Sequence, residues 1–189
     1  MLQKKDNSIL FFNKSTFKAA ELIFNNPNKT FHIRMIERET GLSTTAIKES
    51  VKKLHKFNII TIEKTPLTTN IKANLESEAY RFYKQVFNLY RLNRYNFIHN
   101  LVTYFNNPEA VVLFGSFAKG EDIEESDVDI LVLSSSKTPQ VLNKLIAGFE
   151  KELNRKINIH VLPSLNKSSK EFKNALANGI VLHGYLKVL

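Results

Sequence analysis

Five consecutive apolar residues, Ala110-Val111-Val112-Leu113-Phe114, run without a polar interruption and stop at Gly115. A run this short and this apolar predicts a strand buried on both faces. Ten residues beyond Gly115-Ser116 the chain reads Ser126-Asp127-Val128-Asp129-Ile130-Leu131-Val132-Leu133. Polar and apolar residues alternate at its start, so Asp127 and Asp129 project from one face of a second strand. Two carboxylates aimed the same way repel each other. A cation offsets that repulsion, and hard carboxylate oxygens suit magnesium or manganese.

Between the two strands, Gly115 allows a ligand to approach the backbone closely, and the Ser116 hydroxyl with nearby amides can hold phosphate oxygens. The segment from Gly115 to Ser126, with a second glycine at Gly120, reads as an irregular loop. Its acidic residues Glu121, Asp122, Glu124 and Glu125 read as solvent-facing. A phosphate cradle ahead of a two-carboxylate strand suits metal-assisted phosphoryl or nucleotidyl transfer, in which cations orient a triphosphate and stabilise the attacking and leaving oxygens.

Composition narrows the alternatives. A chain of 189 residues with 43% hydrophobic content predicts one or two globular domains. The absence of cysteine excludes disulfides, thiolate zinc sites and cysteine nucleophiles together. The start of the chain leads only into a short apolar stretch, Ile9 to Phe12, without the pattern of a secretory signal. No run approaches the roughly 18 apolar residues of a membrane span. A cytoplasmic protein with no membrane partner is expected. The net charge is +9 and unevenly spread: residues 1–75 hold 13 Lys/Arg against 6 Asp/Glu, and residues 76–189 hold 14 against 12. A basic excess in the first part is what a polyanion-binding region shows, or a solvated lysine surface.

The first 75 residues predict three helices and a hairpin. Ser15 to Asn25 repeats apolar residues with helical period after Ser15 or Thr16 as cap, and Pro27 ends it. Phe31-His32-Ile33 reads as a short strand and Ile33 to Thr40 as a second helix. Gly41 supplies a left-handed helix end, and Ser43 caps a third helix over Thr44 to Phe57. Its inner side carries Ile47, Val51 and Leu54; its other side shows Thr44, Thr45, Lys48, Glu49, Lys52 and Lys53. Ile59 to Glu63 and Ile71 to Leu75 make two strands around a turn-rich Lys64 to Asn70.

This order resembles the winged helix-turn-helix domains of prokaryotic transcription regulators. The resemblance implies that the third helix enters the major groove of double-stranded DNA. Ser43, Thr44, Thr45, Lys48 and Lys52 would then face DNA, with Lys64 and Lys72 near its backbone. The alternative is a winged helix used for protein contacts or dimerisation, and Glu49 on the same side favours it, because a carboxylate repels phosphate.

Residues 76–107 read as a helical spacer whose aromatic residues, Tyr80, Phe82, Tyr83, Phe87 and Tyr90, sit at near-helical spacing and suit packing or a homodimer interface. Arg91, Arg94 and the break at Asn106-Asn107-Pro108 lead into the second domain, residues 108–189.

Gly115-Ser116, ten residues, then Asp127-Val128-Asp129, flanked by Phe117-Ala118-Lys119-Gly120 and Ser126, resembles the signature of the DNA polymerase β-type nucleotidyltransferase superfamily, and within it the minimal nucleotidyltransferases. The likeness spans about residues 108–185. It implies a magnesium- or manganese-dependent transfer of a nucleoside monophosphate from a nucleoside triphosphate to a hydroxyl. Gly115, Ser116 and Lys119 would contact the nucleotide, and Asp127 and Asp129 would hold the metals. The tail, from the helix near Ser168 to Leu176 through Asn178 to Gly184, fits as well.

The resemblance also implies a third carboxylate on the strand after the next helix, which helps deprotonate the attacking hydroxyl. The helix is expected over Gln140 to Leu153, and the strand is Lys156-Ile157-Asn158-Ile159-His160-Val161-Leu162. Its polar side offers Asn158, which takes no proton at neutral pH, and His160, which can. The expected architecture is an α/β (α+β) nucleotidyltransferase fold with a short mixed sheet, preceded by a winged helix and a helical spacer. Three functions follow: a nucleotidyltransferase with catalytic Asp127, Asp129 and His160, a transcription regulator that binds nucleotide without turnover, or an antitoxin-like protein acting on a protein partner.

Overall fold

The computed structural model describes residues 12–66, 68–135 and 141–187. Most of the apolar start expected over Ile9 to Phe12, Leu67 in the turn, and Gln140 at the expected helix start lie outside the described residues. The chain forms two compact units, Met1–Phe87 and Asn88–Leu189.

The first unit runs α1 (Lys14–Asn25), α2 (Ile33–Thr40), α3 (Thr44–Lys56), β1 (Ile60–Lys64) and β2 (Thr69–Ala73), followed by the start of α4 (Glu78–Arg94). The cap of α1 is Asn13, whose side chain accepts from the Thr16 amide at 2.9 Å, rather than Ser15 or Thr16. An asparagine one step outside the helix satisfies an amide that a serine inside it cannot reach. Gly41 closes α2 in the left-handed conformation (φ 67°), its amide donating to the Glu37 carbonyl, and Ser43 caps α3 as expected. The strand expected over Phe31-His32-Ile33 reduces to a single bridge between Phe31 and Ile71, because α2 already begins at Ile33. β1 and β2 pair antiparallel from Ile60↔Ala73 to Lys64↔Thr69. The core of the unit gathers Phe17, Ala20, Ile23 and Phe24 of α1 with Ile36, Ile47, Leu54 and Ile71. Tyr80 and Phe87 close it, with ring centroids 5.5 and 5.3 Å from Phe24.

The second unit adds the end of α4, then α5 (Phe97–Tyr104), β3 (Ala110–Phe114), α6 (Gly115–Lys119), β4 (Val128–Leu133), α7 (Val141–Leu153), β5 (Ile157–Leu162), α8 (Lys170–Ala177) and β6 (Ile180–Gly184). Its sheet has the order β5-β4-β3-β6, with β4 and β5 parallel and the other pairs antiparallel. This is the short mixed sheet the sequence predicts. β3 is buried along its whole length. One face of the sheet, with Val111, Leu113, Val128, Ile130 and Val132, packs against residues of α5 and α7. The other, with Val112, Phe114 and Leu131, packs against Leu176 and Phe172 of α8.

The stretch read as a spacer is therefore core-forming in both units. Tyr80 and Phe87 belong to the first, and Leu92, Phe97, Leu101 and Phe105 to the second. Asn96, with a left-handed φ of 55°, breaks it into α4 and α5.

Candidate nucleotide and metal site

Three neighbouring strands bring the site together by register alone. Phe114 lies opposite Asp129 across β3 and β4, and Asp129 lies beside Asn158 across β4 and β5. Residues directly paired across strands point to the same side of a sheet. The last residue of β3, the second carboxylate and the amide of β5 thus share one face. Asp127, one residue before β4, joins them: Asn158 Nδ2 donates to Asp127 Oδ2 and to Asp129 Oδ1, each at 3.1 Å. The two carboxylates are half-buried.

Gly115 is fixed by the same neighbours. Its φ is +76°, a region that side chains beyond glycine rarely adopt, and an added Cβ would lie 2.7 Å from Asp129 Oδ2. The glycine therefore both turns the chain out of β3 and brings its backbone against the second carboxylate. The segment expected as an irregular loop begins instead with a short helix, α6, closed by Gly120 at φ 69°. Phe117 and Ala118 are buried on it, which is why the chain coils there rather than running free. Ser116 is half-buried on the first turn and Lys119 is exposed at the last.

The loop from Gly120 to Asp127 is less solvated than its acidity predicts. Asp122 is 2% exposed and accepts from Asn88 Nδ2 at 2.8 Å, while the same nitrogen donates to the Phe117 carbonyl at 2.9 Å. Local sequence could not reveal this, because the partner lies 34 residues away on α4. Glu121 and Glu125 are exposed, as expected. The Ile123 amide donates to Ser126 Oγ at 2.9 Å, tying the loop just before Asp127. A cleft of about 570 Å³ opens there, lined in part by Glu124, Asp127, Glu150, Arg155 and Lys156.

His160 is one pleat further along β5, opposite Leu131. Its ring packs 5.5 Å from that of Phe114 and 5.7 Å from that of Phe172. Asn158 is the β5 side chain that reaches the two aspartates. Its alternation on the polar side of β5 was legible in the sequence; its contact with both carboxylates was not. Among the described residues no group of three or more Asp, Glu, His or Cys side chains is arranged to hold a metal. Asp127 and Asp129 stand as a pair with an amide between them.

Residues 96–185 match the family model described as polymerase beta, nucleotidyltransferase. Over those residues the second unit is similar to nucleotidyltransferases of that family. The match covers β3, the glycine turn, both aspartates and β5, and does not extend to residues 1–95. It supports nucleotidyl transfer as the general activity of the domain. The chain has no match among curated proteins or solved structures.

The residues expected to face DNA fall into two groups. Ser43 accepts from the Ala46 amide at 3.3 Å, and Thr44 Oγ1 donates to the Glu37 carboxylate, so both hydroxyls are engaged within the first unit. Thr45, Lys48 and Lys52 on α3, and Lys64 and Lys72 on the hairpin, are exposed. No helix of the described residues is long and apolar enough to cross a membrane.

Proposed function

We propose that the second unit transfers a nucleoside monophosphate from a nucleoside triphosphate to a hydroxyl acceptor, with magnesium or manganese held by Asp127 and Asp129. The observation that carries this reading is the close approach of the Gly115 turn to Asp129, on the face where Asp127 and Asp129 meet at a single shared donor. Two anionic oxygens within reach of one point are a donor set that fits a hard divalent cation. The cation would supply charge neutralisation at the triphosphate. Gly115 leaves room for the phosphates at the backbone, and Ser116 offers a hydroxyl to them. Lys119, exposed at the end of α6, would add a charge contact. The acceptor oxygen attacks the α-phosphorus, the bond to the β-phosphate oxygen breaks, and pyrophosphate leaves. The acceptor proton passes to a carboxylate oxygen or to solvent, since the Asn158 amide takes none.

In the same proposal the first unit is a winged helix-turn-helix, with α3 as the groove-facing helix and β1–β2 as the wing. Thr45, Lys48 and Lys52 would meet double-stranded DNA from the helix, and Lys64 and Lys72 would meet it from the hairpin. Phosphate contacts of this kind give affinity that falls steeply with salt. Assembly as a homodimer or with a protein partner, in the cytoplasm, completes the proposal.

Incubation with each α-labelled nucleoside triphosphate and magnesium, alone and with cell extract, tests the activity through pyrophosphate release and label transfer. Transfer that vanishes in the Asp127→Asn/Asp129→Asn double variant is the expected result. Nucleotide bound without transfer would favour the second reading, a DNA-binding regulator that senses nucleotide. Asn158 in place of a proton-accepting side chain is the observation behind that alternative, because loss of a general base lowers rates by about a hundred- to ten-thousandfold.

A further inference from the structure

Asn158 holds an unusual position for a neutral side chain. A carboxylate only accepts hydrogen bonds, so the atom that Asn158 turns toward Asp127 and Asp129 is its Nδ2, at 3.1 Å from each. One amide nitrogen thus bridges the two groups whose mutual repulsion a cation would otherwise relieve. The strand beneath it is fixed: Asn158 is registered against Asp129, and flanking Ile157 and Ile159 pack on the opposite face. The exposed side chain is free to rotate its amide about the Cβ–Cγ bond. That torsion is broad and roughly two-fold, so a half-turn exchanges Nδ2 for Oδ1 with little strain. The exchanged atom is a hard neutral oxygen donor of the type that binds magnesium and manganese.

We propose that Asn158 is the metal-positioning residue of this site, an amide that clamps Asp127 and Asp129 through Nδ2 without metal and, by a half-turn, offers Oδ1 when the two aspartates take up a divalent cation. This rests on the reading of Asp127 and Asp129 as the metal pair. Because the third donor is neutral, the protein presents two negative charges to the cation rather than three. The preferred form of the ligand is then a cation already complexed to a nucleoside triphosphate, whose phosphate oxygens supply the missing anionic donors. The site selects metal–nucleotide over free metal.

Manganese binding to the full chain, followed by electron paramagnetic resonance with and without a non-hydrolysable nucleoside triphosphate, tests the proposal in the parent protein, Asn158→Asp and Asn158→Ala. The parent should bind free manganese weakly and take it up in the presence of nucleotide. Asn158→Asp should tighten free manganese by about 10–100-fold and reduce the dependence on nucleotide, and Asn158→Ala should weaken nucleotide-supported binding by a similar factor, the range seen when groups that orient metal ligands are lost. The Asn158 side-chain amide resonances in ¹⁵N-labelled protein should also move on adding magnesium with nucleotide. Asn158→Ala that binds manganese as well as the parent or better, together with Asn158 amide resonances of the parent that do not move, would overturn the positioning role while leaving the metal pair intact. If the parent binds manganese equally with Asp127→Asn/Asp129→Asn, the assignment of the metal pair itself fails, and the role of Asn158 with it. Thermal melts of each variant separate loss of binding from loss of fold.

Discussion

The exposed side of α3 and the β3–α6–β4 turn are both candidate ligand surfaces, but they are built on opposite terms. On α3, Thr45, Lys48 and Lys52 stand on a helix whose stability comes from the other side, where Ile47, Val51 and Leu54 are buried. Nothing about the fold requires lysine there. At the turn, several residues are also structural parts: Gly115 fits against Asp129, Asn158 bridges two carboxylates, and Asn88 holds α6 and the acidic loop together. Substitutions on the exposed side of α3 are expected to leave stability unchanged, whereas those at the turn are expected to alter stability and ligand binding together.

The sharpest way to break that contrast is Gly115→Ala. The substitution places a Cβ at 2.7 Å from the Asp129 carboxylate in a backbone conformation strained by about 1–3 kcal/mol for other residues. Nucleotide binding should be lost and the melting temperature lowered. Full binding with parental stability would mean that the turn is not shaped by its contact with Asp129.

Asn88→Ala should come next. Asn88 is 1% exposed and its Nδ2 serves both the Phe117 carbonyl and Asp122. Removing a buried donor of this kind costs about 1–3 kcal/mol, and more where the acceptor is charged. Chemical denaturation should show the loss, and nucleotide affinity should fall with it if the loop positions Asp127. A loss of stability with unchanged affinity would uncouple the loop from the site.

In the first unit the expected effects are smaller. Asn13→Ala removes the cap of α1 and should destabilise by about 1 kcal/mol without altering DNA affinity. Lys48→Ala with Lys52→Ala should leave stability within about 0.5 kcal/mol. The pair should instead reduce the salt dependence of duplex binding by about two units of slope, as two phosphate contacts are removed. Unchanged duplex affinity in a fluorescence titration would take α3 out of the proposed DNA interface.

Much of this molecule was legible before any coordinates, wherever the signal is local. The apolar run 110–114 predicts a buried strand because nothing in it tolerates water, and β3 is buried throughout. The alternation at Asp127-Val128-Asp129 places two carboxylates on one face because strand geometry has a period of two, and a single donor reaches both. Gly41 and Ser43 mark a helix end and a helix start through backbone preferences that act over a few residues. The cap of α1 falls at Asn13, two residues before Ser15, because several polar residues in a row can each cap and geometry chooses among them.

Tertiary structure alone decided what depends on distant pairing. Asp122 belongs to an acidic run that reads as solvated, yet it is buried, with Asn88 on α4 supplying a donor. Residues 76–107 read as a spacer from their helical period, but which units their aromatic faces complete is set by the cores that receive them. Along β5 the sequence offers Asn158 and His160 on the same side. Parallel pairing with β4 put Asn158 beside Asp129 and His160 beside Leu131, and a shift of one residue would have turned both to the opposite face. Side-chain chemistry and local period are written in the sequence; register, and with it the neighbour of each carboxylate, is settled only when strands far apart in the chain pack together.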